Sequence, residues 1–389
     1  TAISSSVFIL LQNYRIAVCA LLLRGRSLFD AQKPKMKRYI IRSWATVDSL
    51  STSSYKDLYL GSIHMDLAAK GFNVGIIVGV IGDFIKAVKM MRLEGKPLPQ
   101  EILLRPIDTI KVLFYCRFRP FRIKGPIHFR NVDITLLLNS CLAYARSCGQ
   151  DLHNMLYYHV GRRLSRSYKP DVCVTAHENY PWEKMFILGI RSYAKSYIIG
   201  YQHSAIYQTL TTVLLSRQER SIVPLPDRIV TVGSITREYL EKEGNYDPAI
   251  LRTGCSFSTI KSDFVIQARP QGNNLLVILG CYPRAKEMTD FIVTSLKDKE
   301  FHLIFRPHPT VPFDDYADKL AFDVSTISAI EVSAGRLEKE LARSIAVLYD
   351  GSKVALEALG AGLPVINISP FDDVFSYDPL VKWTAFKWG

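Results

Sequence analysis

From about residue 36 onward, short runs of consecutive apolar residues alternate with stretches in which apolar residues recur every three or four positions. Runs of the first kind fit strands covered on both faces, and the alternation predicts an α/β chain built on parallel sheets. The expected strands are Arg38–Trp44, Asn73–Val78, Val172–Thr175, Ser196–Ile199, Arg228–Val232 and Ile250–Thr253. Beyond a polar break at Arg269–Asn274 (RPQGNN) a second series follows: Leu275–Leu279, Phe301–Phe305, Ile345–Leu348 and Pro364–Ile368. Helices are expected between them, for example Ile235–Glu243, Glu287–Lys297 and Ser352–Gly360. The last of these meets Gly360 and Gly362 ahead of Pro364, a helix-stop pattern. Pro, Gly and Asn cluster in the RPQGNN break, which marks a boundary between a first domain over 1–270 and a second over 271–389. Two doubly wound domains facing a central cleft are expected, with ligands at the carboxyl ends of the strands.

Residues 7–23 (VFILLQNYRIAVCALLL) are strongly apolar but carry Gln12, Asn13 and Arg15 at their centre. A spanning helix needs about 20 apolar residues and rarely holds a central Arg, so a buried or interfacial helical extension is expected. Composition narrows the class: 48% hydrophobic residues over 389 positions exclude disorder. The net charge of +13 favours anionic partners such as nucleic acid, an acidic membrane or a phosphorylated substrate. Seven scattered cysteines (Cys19, Cys116, Cys141, Cys148, Cys173, Cys255, Cys281) form no CxxC pair and read as reduced core thiols of a cytoplasmic protein.

Candidate chemistry collects where strands end. Val172–Thr175 leads into Ala176-His177-Glu178-Asn179-Tyr180-Pro181-Trp182-Glu183, and Ser196–Ile199 leads into Gly200-Tyr201-Gln202-His203-Ser204. A carboxylate beside Tyr180 and Trp182 suits acid or base work, which singles out Glu178; Glu183 has a competing role as a first-turn helix carboxylate. His203 fits a phosphate or an acceptor hydroxyl, and Asp227 and Asp350 remain further carboxylate candidates. In the second half Leu275–Leu279 runs toward Arg284, and Phe301–Phe305 into Arg306-Pro307-His308-Pro309, where two prolines stiffen the turn. Ile345–Leu348 runs into Asp350-Gly351-Ser352-Lys353 at a helix start, whose free N–H groups suit a phosphate, with Glu357 five residues beyond Ser352. No DxD-like carboxylate pair follows a strand there, so no metal is expected.

RPHP at 306–309 followed by DGSKVALEALGAGLPVI at 350–366 resembles the donor-binding half of GT-B glycosyltransferases that use a cytidine nucleotide: bacterial sialyltransferases, Kdo transferases and CDP-glycerol polymerases. The first half resembles bacterial surface-carbohydrate biosynthesis proteins at SWATVDS (43–49), YKDLYLGSIHMDLAAKGFNV (55–74), HENYPWEK (177–184) and GYQHS (200–204). Ser352-Lys353 stands where sialyltransferases pair Ser/Thr, and no Asp/Glu-Asp/Glu-Gly triplet occurs, so the likeness points first to Kdo transferases, the retaining β-Kdo type nearest. It implies that His308 and Pro309 contact CMP, that Gly351, Ser352 and Lys353 hold its phosphate with Glu357 near the ribose, and that Arg284 and Arg306 belong to the same donor site. It further implies that Glu178 deprotonates the acceptor or attacks the anomeric carbon, that no cofactor is needed beyond the CMP-sugar, and that the acceptor is a lipid-linked or oligosaccharide glycan of lipopolysaccharide O-antigen or capsule. A CDP-glycerol-type phosphotransferase, a sialyltransferase, a nucleotide-sugar epimerase and a basic nucleic-acid-binding protein compete. No nucleic-acid module is recognisable.

Residues 114–130 (FYCRFRPFRIKGPIHFR) interleave Phe114, Phe118, Phe121 and Phe129 with Arg117, Arg119, Arg122, Lys124 and Arg130. Such interleaving suits an anionic membrane surface or stacked nucleic-acid bases, and equally a solvated loop whose phenylalanines are core. Peripheral contact with the inner face of the cytoplasmic membrane is expected.

Overall fold

A computed structural model describes residues 5–380, apart from 31, 34, 52–54, 119–121, 148, 209, 256–263, 267–271, 281–283, 297, 309–310, 334 and 370–375. The chain divides into two compact units: Thr1–His203 with Thr212–Phe257, and Ser204–Thr211 with Ser258–Gly389. The division thus falls at 257/258, and a short segment before residue 212 belongs to the second unit.

In the first unit the order is α1 (Ser5–Leu22), β1 (Arg38–Ala45), α2 (Val47–Ser51), α3 (Ile63–Ala69), β2 (Asn73–Val80), α4 (Phe84–Met90), β3 (Leu98–Pro99) and α5 (Pro106–Phe118). An antiparallel pair, β4 (His128–Phe129) and β5 (Val132–Asp133), precedes α6 (Thr135–Ser147), α7 (Gln150–Tyr168), β6 (Val172–Ala176), α8 (Pro181–Arg191) and β7 (Tyr197–Tyr201). The unit closes with α9 (Glu219–Ile222), β8 (Arg228–Thr231), α10 (Ser234–Lys242) and β9 (Leu251–Thr253). The main strands form a parallel sheet in the order β3-β2-β1-β6-β7-β8-β9. The order runs outward one way from β1 and then the other way from β6, so the reversal lies between β1 and β6, where open α/β sheets leave a crevice at the strand ends.

The second unit holds β10 (Asn274–Ile278), α11 (Arg284–Leu296), β11 (His302–Arg306), β12 (Ile330–Val332), α12 (Leu337–Ala342), β13 (Ala346–Tyr349), α13 (Val354–Gly360) and β14 (Val365–Asn367). Its parallel sheet runs β12-β11-β10-β13-β14, with the reversal between β10 and β13. Both units therefore have the expected doubly wound α/β architecture. β12 and the two-residue β3 were not among the expected strands, being too short to show a period.

Parallel strands covered on both faces send successive side chains into opposite layers. Leu275, Val277 and Leu279 join Phe305, Met288 and Leu348 on one side of the second sheet, whereas Leu276 and Ile278 join Ile304, Val347 and Tyr349 on the other. In β1 the same alternation puts Ile40 with helices α1, α4, α7 and α8, and Ile41 with Leu60, Val174 and Tyr201. The segment over 7–23 is largely helical, as expected, and buries Gln12, Ile16, Cys19 and Leu23 on one side. Among the described residues no helix is long and apolar enough to cross a membrane. Of the cysteines, Cys19 and Cys173 are core, but Cys141 and Cys255 are exposed, and Cys148 and Cys281 lie outside the described residues.

Candidate functional site

In the first unit the loop after β6 stands at the reversal point. Glu183, in the first turn of α8, is 1% exposed, and its carboxylate accepts the backbone N–H of Glu178 at 3.0 and 3.1 Å and that of Asn179 at 2.8 Å. The Nδ1 atom of His177 lies 3.2 Å away. Pro181 opens the helix at N1, where its missing N–H costs nothing. Asn179 adopts φ 61°, tolerable for Asn, and its Nδ2 donates to the Thr212 carbonyl at 2.8 Å. The expectation of a catalytic Glu183 is therefore corrected: the carboxylate is enclosed and engaged by backbone donors, and it shapes the loop that carries Glu178. Gly200 on β7 keeps this loop close, since a Cβ there would come within 2.9 Å of the His177 Cβ.

Glu178 Oε1 lies 3.8 Å from His203 Nε2, with the two side chains 18% and 15% exposed. The strand exits of β6 and β7 are neighbours in the sheet, which is why residues 25 apart in sequence meet. The Tyr59 ring stands edge-on to the His203 ring, centroids 4.5 Å apart. Tyr59 is placed by Asp57, a buried carboxylate that accepts Tyr59 N–H (2.9 Å), Leu60 N–H (2.8 Å), the Ser43 hydroxyl (2.7 Å) and the Tyr55 hydroxyl (2.9 Å). Burial, and then the charges of Glu178 and Asp57, raise the Tyr59 pKa, so its phenol stays protonated as a donor at neutral pH. The first unit thus brings together Glu178 and His203, as the sequence predicts, and adds Asp57 and Tyr59. Both lie within the 55–74 segment, where no spacing marks them out.

Beneath this loop is a second group with no sequence motif. Arg42 of β1 is fully buried, its guanidinium 4.2 Å from the Trp44 ring and 4.0 Å from that of Trp182, and it donates to the Tyr157 hydroxyl (2.9 Å) and Gln100 Oε1 (3.3 Å). Gly79 of β2 faces Trp44, where a Cβ would fall 2.3 Å from the indole. Arg42 thereby anchors the start of α8 through Trp182. Beside it lies a cavity of about 140 Å³ lined in part by Arg15, Gln100, Glu101 and His153.

The second unit places the exits of β11 and β13 on either side of β10. Arg284 grips Asp350 in a bidentate pair (2.5 and 2.6 Å) and stacks 4.3 Å over the Tyr377 ring. Asp350 is buried and committed to that pair, which removes it as a catalytic carboxylate. Gly351 is required by the same tyrosine, whose Cβ would stand 2.8 Å from an added Cβ. The Ser352 hydroxyl accepts the Val354 N–H at 3.2 Å, Lys353 is the exposed N-cap residue of α13, and Glu357 lies on that helix. Arg306 donates through Nη1 to the buried Glu340 (2.5 Å) and to the Gly335 carbonyl (2.7 Å), which ties β11 to α12. Burial lowers the His308 pKa, which makes the side chain a neutral N–H donor rather than a cation at neutral pH. Pro309 lies outside the described residues. Asp227, the remaining carboxylate candidate, accepts from Arg191 (3.1 Å) and from the Ile198 N–H (2.7 Å) ahead of β8, away from the strand exits.

No family model matches the sequence, and no curated protein is similar to it. Among solved structures, a glycosyltransferase from Rickettsia africae aligns over 86% of this chain and 79% of its own at 10% identity and TM-score 0.46. A UDP-N-acetylglucosamine 2-epimerase from Rickettsia bellii aligns over 86% and 80% at 13% identity and TM-score 0.48. Acinetobacter baumannii MurG aligns over 86% and 80% at 12% identity and TM-score 0.45. At these identities and scores the likeness assigns neither family nor activity.

Proposed function

We propose that this chain is a glycosyltransferase that moves an ulosonic acid, Kdo, from a CMP-sugar to a bacterial surface glycan of O-antigen or capsule. The observation that carries the proposal is the position of the sequence motifs: Arg306-Pro307-His308 and Asp350-Gly351-Ser352 leave the two strands flanking β10, the second of them at the reversal of the second sheet. That is where a doubly wound sheet takes a nucleotide. Gly351, held in place by Tyr377 together with the Arg284–Asp350 pair, gives the loop a fixed backbone. Lys353 supplies an exposed positive charge, and His308 a neutral donor, toward the phosphate that leaves.

Glu178 is the carboxylate of the proposed reaction. In the proposed step, a single displacement that inverts the anomeric centre and so departs from the retaining β-Kdo course, the acceptor hydroxyl oxygen bonds to the anomeric carbon as the bond from that carbon to the CMP phosphate oxygen breaks. CMP departs with the electron pair, and Glu178 takes the hydroxyl proton. His203 stands 3.8 Å from that carboxylate, and the Tyr59 ring packs edge-on against the imidazole. The test is incubation with CMP-Kdo and an oligosaccharide acceptor, reading CMP release and the mass gained by the acceptor. Transfer from CMP-Kdo that Glu178→Gln abolishes supports the proposal; turnover of CDP-glycerol or a UDP-sugar instead contradicts it. A glycosyl adduct on Glu178, seen by intact mass, would reassign that residue from base to nucleophile.

A further inference from the structure

The phenylalanines of segment 114–130 that the structure describes are not core. On α5, Ile107, Ile110, Phe114 and Phe118 fall at helical spacing, and all are exposed, Phe114 by 63% and Phe118 by 66%. The opposite side of the helix buries Asp108, Thr109 and Val112. The β4–β5 pair carries Phe129 opposite Val132, at 60% and 62% exposure. On α6, Leu136 is 80% and Leu137 61% exposed. Within the described part of the connection, Asn139 Oδ1 accepts the Ile123 N–H at 3.0 Å, and Thr135 Oγ1 accepts that of Ile127 at 2.7 Å. α1 packs against α5 and adds an exposed stripe of its own, Leu10, Tyr14 and Leu21, opposite its buried Ile16 and Cys19. Soluble monomers seldom expose so many large apolar side chains along one stretch of chain.

Charge decides the partner. Lys111, Arg117, Arg122, Lys124 and Arg130 are exposed along 107–144, against Asp133 as the exposed acid among the described residues there. A second copy of the chain would bring two such cationic faces together, which repels. Nucleic acid would satisfy the cations and stack on the phenylalanines but offers nothing to Ile110, Leu136 and Leu137. An anionic bilayer meets both needs, with phosphates for the basic residues and acyl chains for the aliphatic and aromatic ones.

We propose that the α1–α5–α6 face, with the β4–β5 tip, docks on an anionic lipid surface. The proposal stands independently of the glycosyl-transfer reading. It is tested by co-sedimentation of the full chain with phosphatidylglycerol/phosphatidylcholine vesicles and with phosphatidylcholine alone. Two variants on separate residues accompany it, Phe114→Ser/Phe118→Ser and Lys111→Glu/Arg117→Glu/Arg130→Glu. Each lysine or arginine near an anionic surface is worth roughly five-fold in affinity, so the charge variant, which replaces three cations by acids, should bind at least on the order of a hundred-fold more weakly. The wild type is expected to sediment with anionic vesicles, less so in high salt, and hardly with neutral ones. Both variants are expected to lose binding while keeping the wild-type melting midpoint, since every altered side chain is exposed. Absence of wild-type binding, unchanged binding by either variant, or a dimer or an oligonucleotide complex in place of vesicle binding overturns the proposal.

Discussion

Glu178 and Glu183 lie five positions apart and stand in opposite situations, the first partly open beside His203 and the second enclosed by backbone donors. Glu178→Gln is expected to lower turnover by roughly 10²–10⁴-fold with nucleotide affinity unchanged, as removal of a general base does. Glu183→Ala leaves the Glu178 and Asn179 N–H groups without their acceptor and is expected to cost about 2–4 kcal/mol of stability. Thermal denaturation separates the two, because only the second should shift the midpoint. His153 gives a pH prediction. Burial, reinforced by Arg42 and Arg15, lowers its pKa to about 4. Between pH 6.5 and 4 the unfolded chain takes up a proton that the folded one excludes, so stability falls as pH falls through that window, by up to about 3 kcal/mol. Lowered values at His64, His159 and His308 act in the same direction. His153→Gln should flatten the acid limb of melting midpoint against pH; an unchanged slope would show that the group contributes nothing.

At the scale of elements, α7 and α8 cross where Gly161 meets Gly189. A Cβ on Gly189 would stand 2.2 Å from the Tyr158 carbonyl oxygen, and one on Gly161 2.4 Å from that of Phe186. Neither neighbour is a side chain that can swing away, so Gly189→Ala must push the helices apart. A loss of about 1–3 kcal/mol is expected, with reduced turnover because α8 carries Glu183 and Trp182. Full stability in that variant would mean that the close approach is not needed. The long strands were legible in the sequence because both faces are buried: β1 and β2 begin at the expected Arg38 and Asn73 and extend one or two residues further. The glycines at the helix crossing were equally visible yet unassigned, since a helix-interior glycine announces close packing without naming its partner. Arg42 was illegible for a related reason. Its site depends on Trp44, Tyr157 and Trp182, which come from three elements.

For the whole molecule, the sequence pattern conveyed two α/β units, but the expected boundary at 270/271 is set by turn composition, whereas the units divide at 257/258. Nothing in the apolar pattern shows that Ser204–Thr211 joins the second unit, where Gln208 accepts the Ser376 N–H at 2.9 Å and the Tyr207 and Tyr377 rings lie 6.0 Å apart. That Glu178, His203, His308 and Ser352 follow strand ends was legible because polar and glycine residues gather there. Tyr59 beside His203, and Asp57 behind Tyr59, were not, because both arrive from a distant part of the chain; Glu340 under Arg306 and Tyr377 against Arg284 and Gly351 were missed for the same reason. The central claim is that the second unit binds a cytidine nucleotide. Calorimetric titration of CMP, CDP and UDP into the wild type and His308→Ala tests it most directly. CMP should bind the wild type at least tenfold more tightly than UDP, with that binding lost in the variant; a preference for UDP, or no nucleotide binding by the wild type, would contradict it.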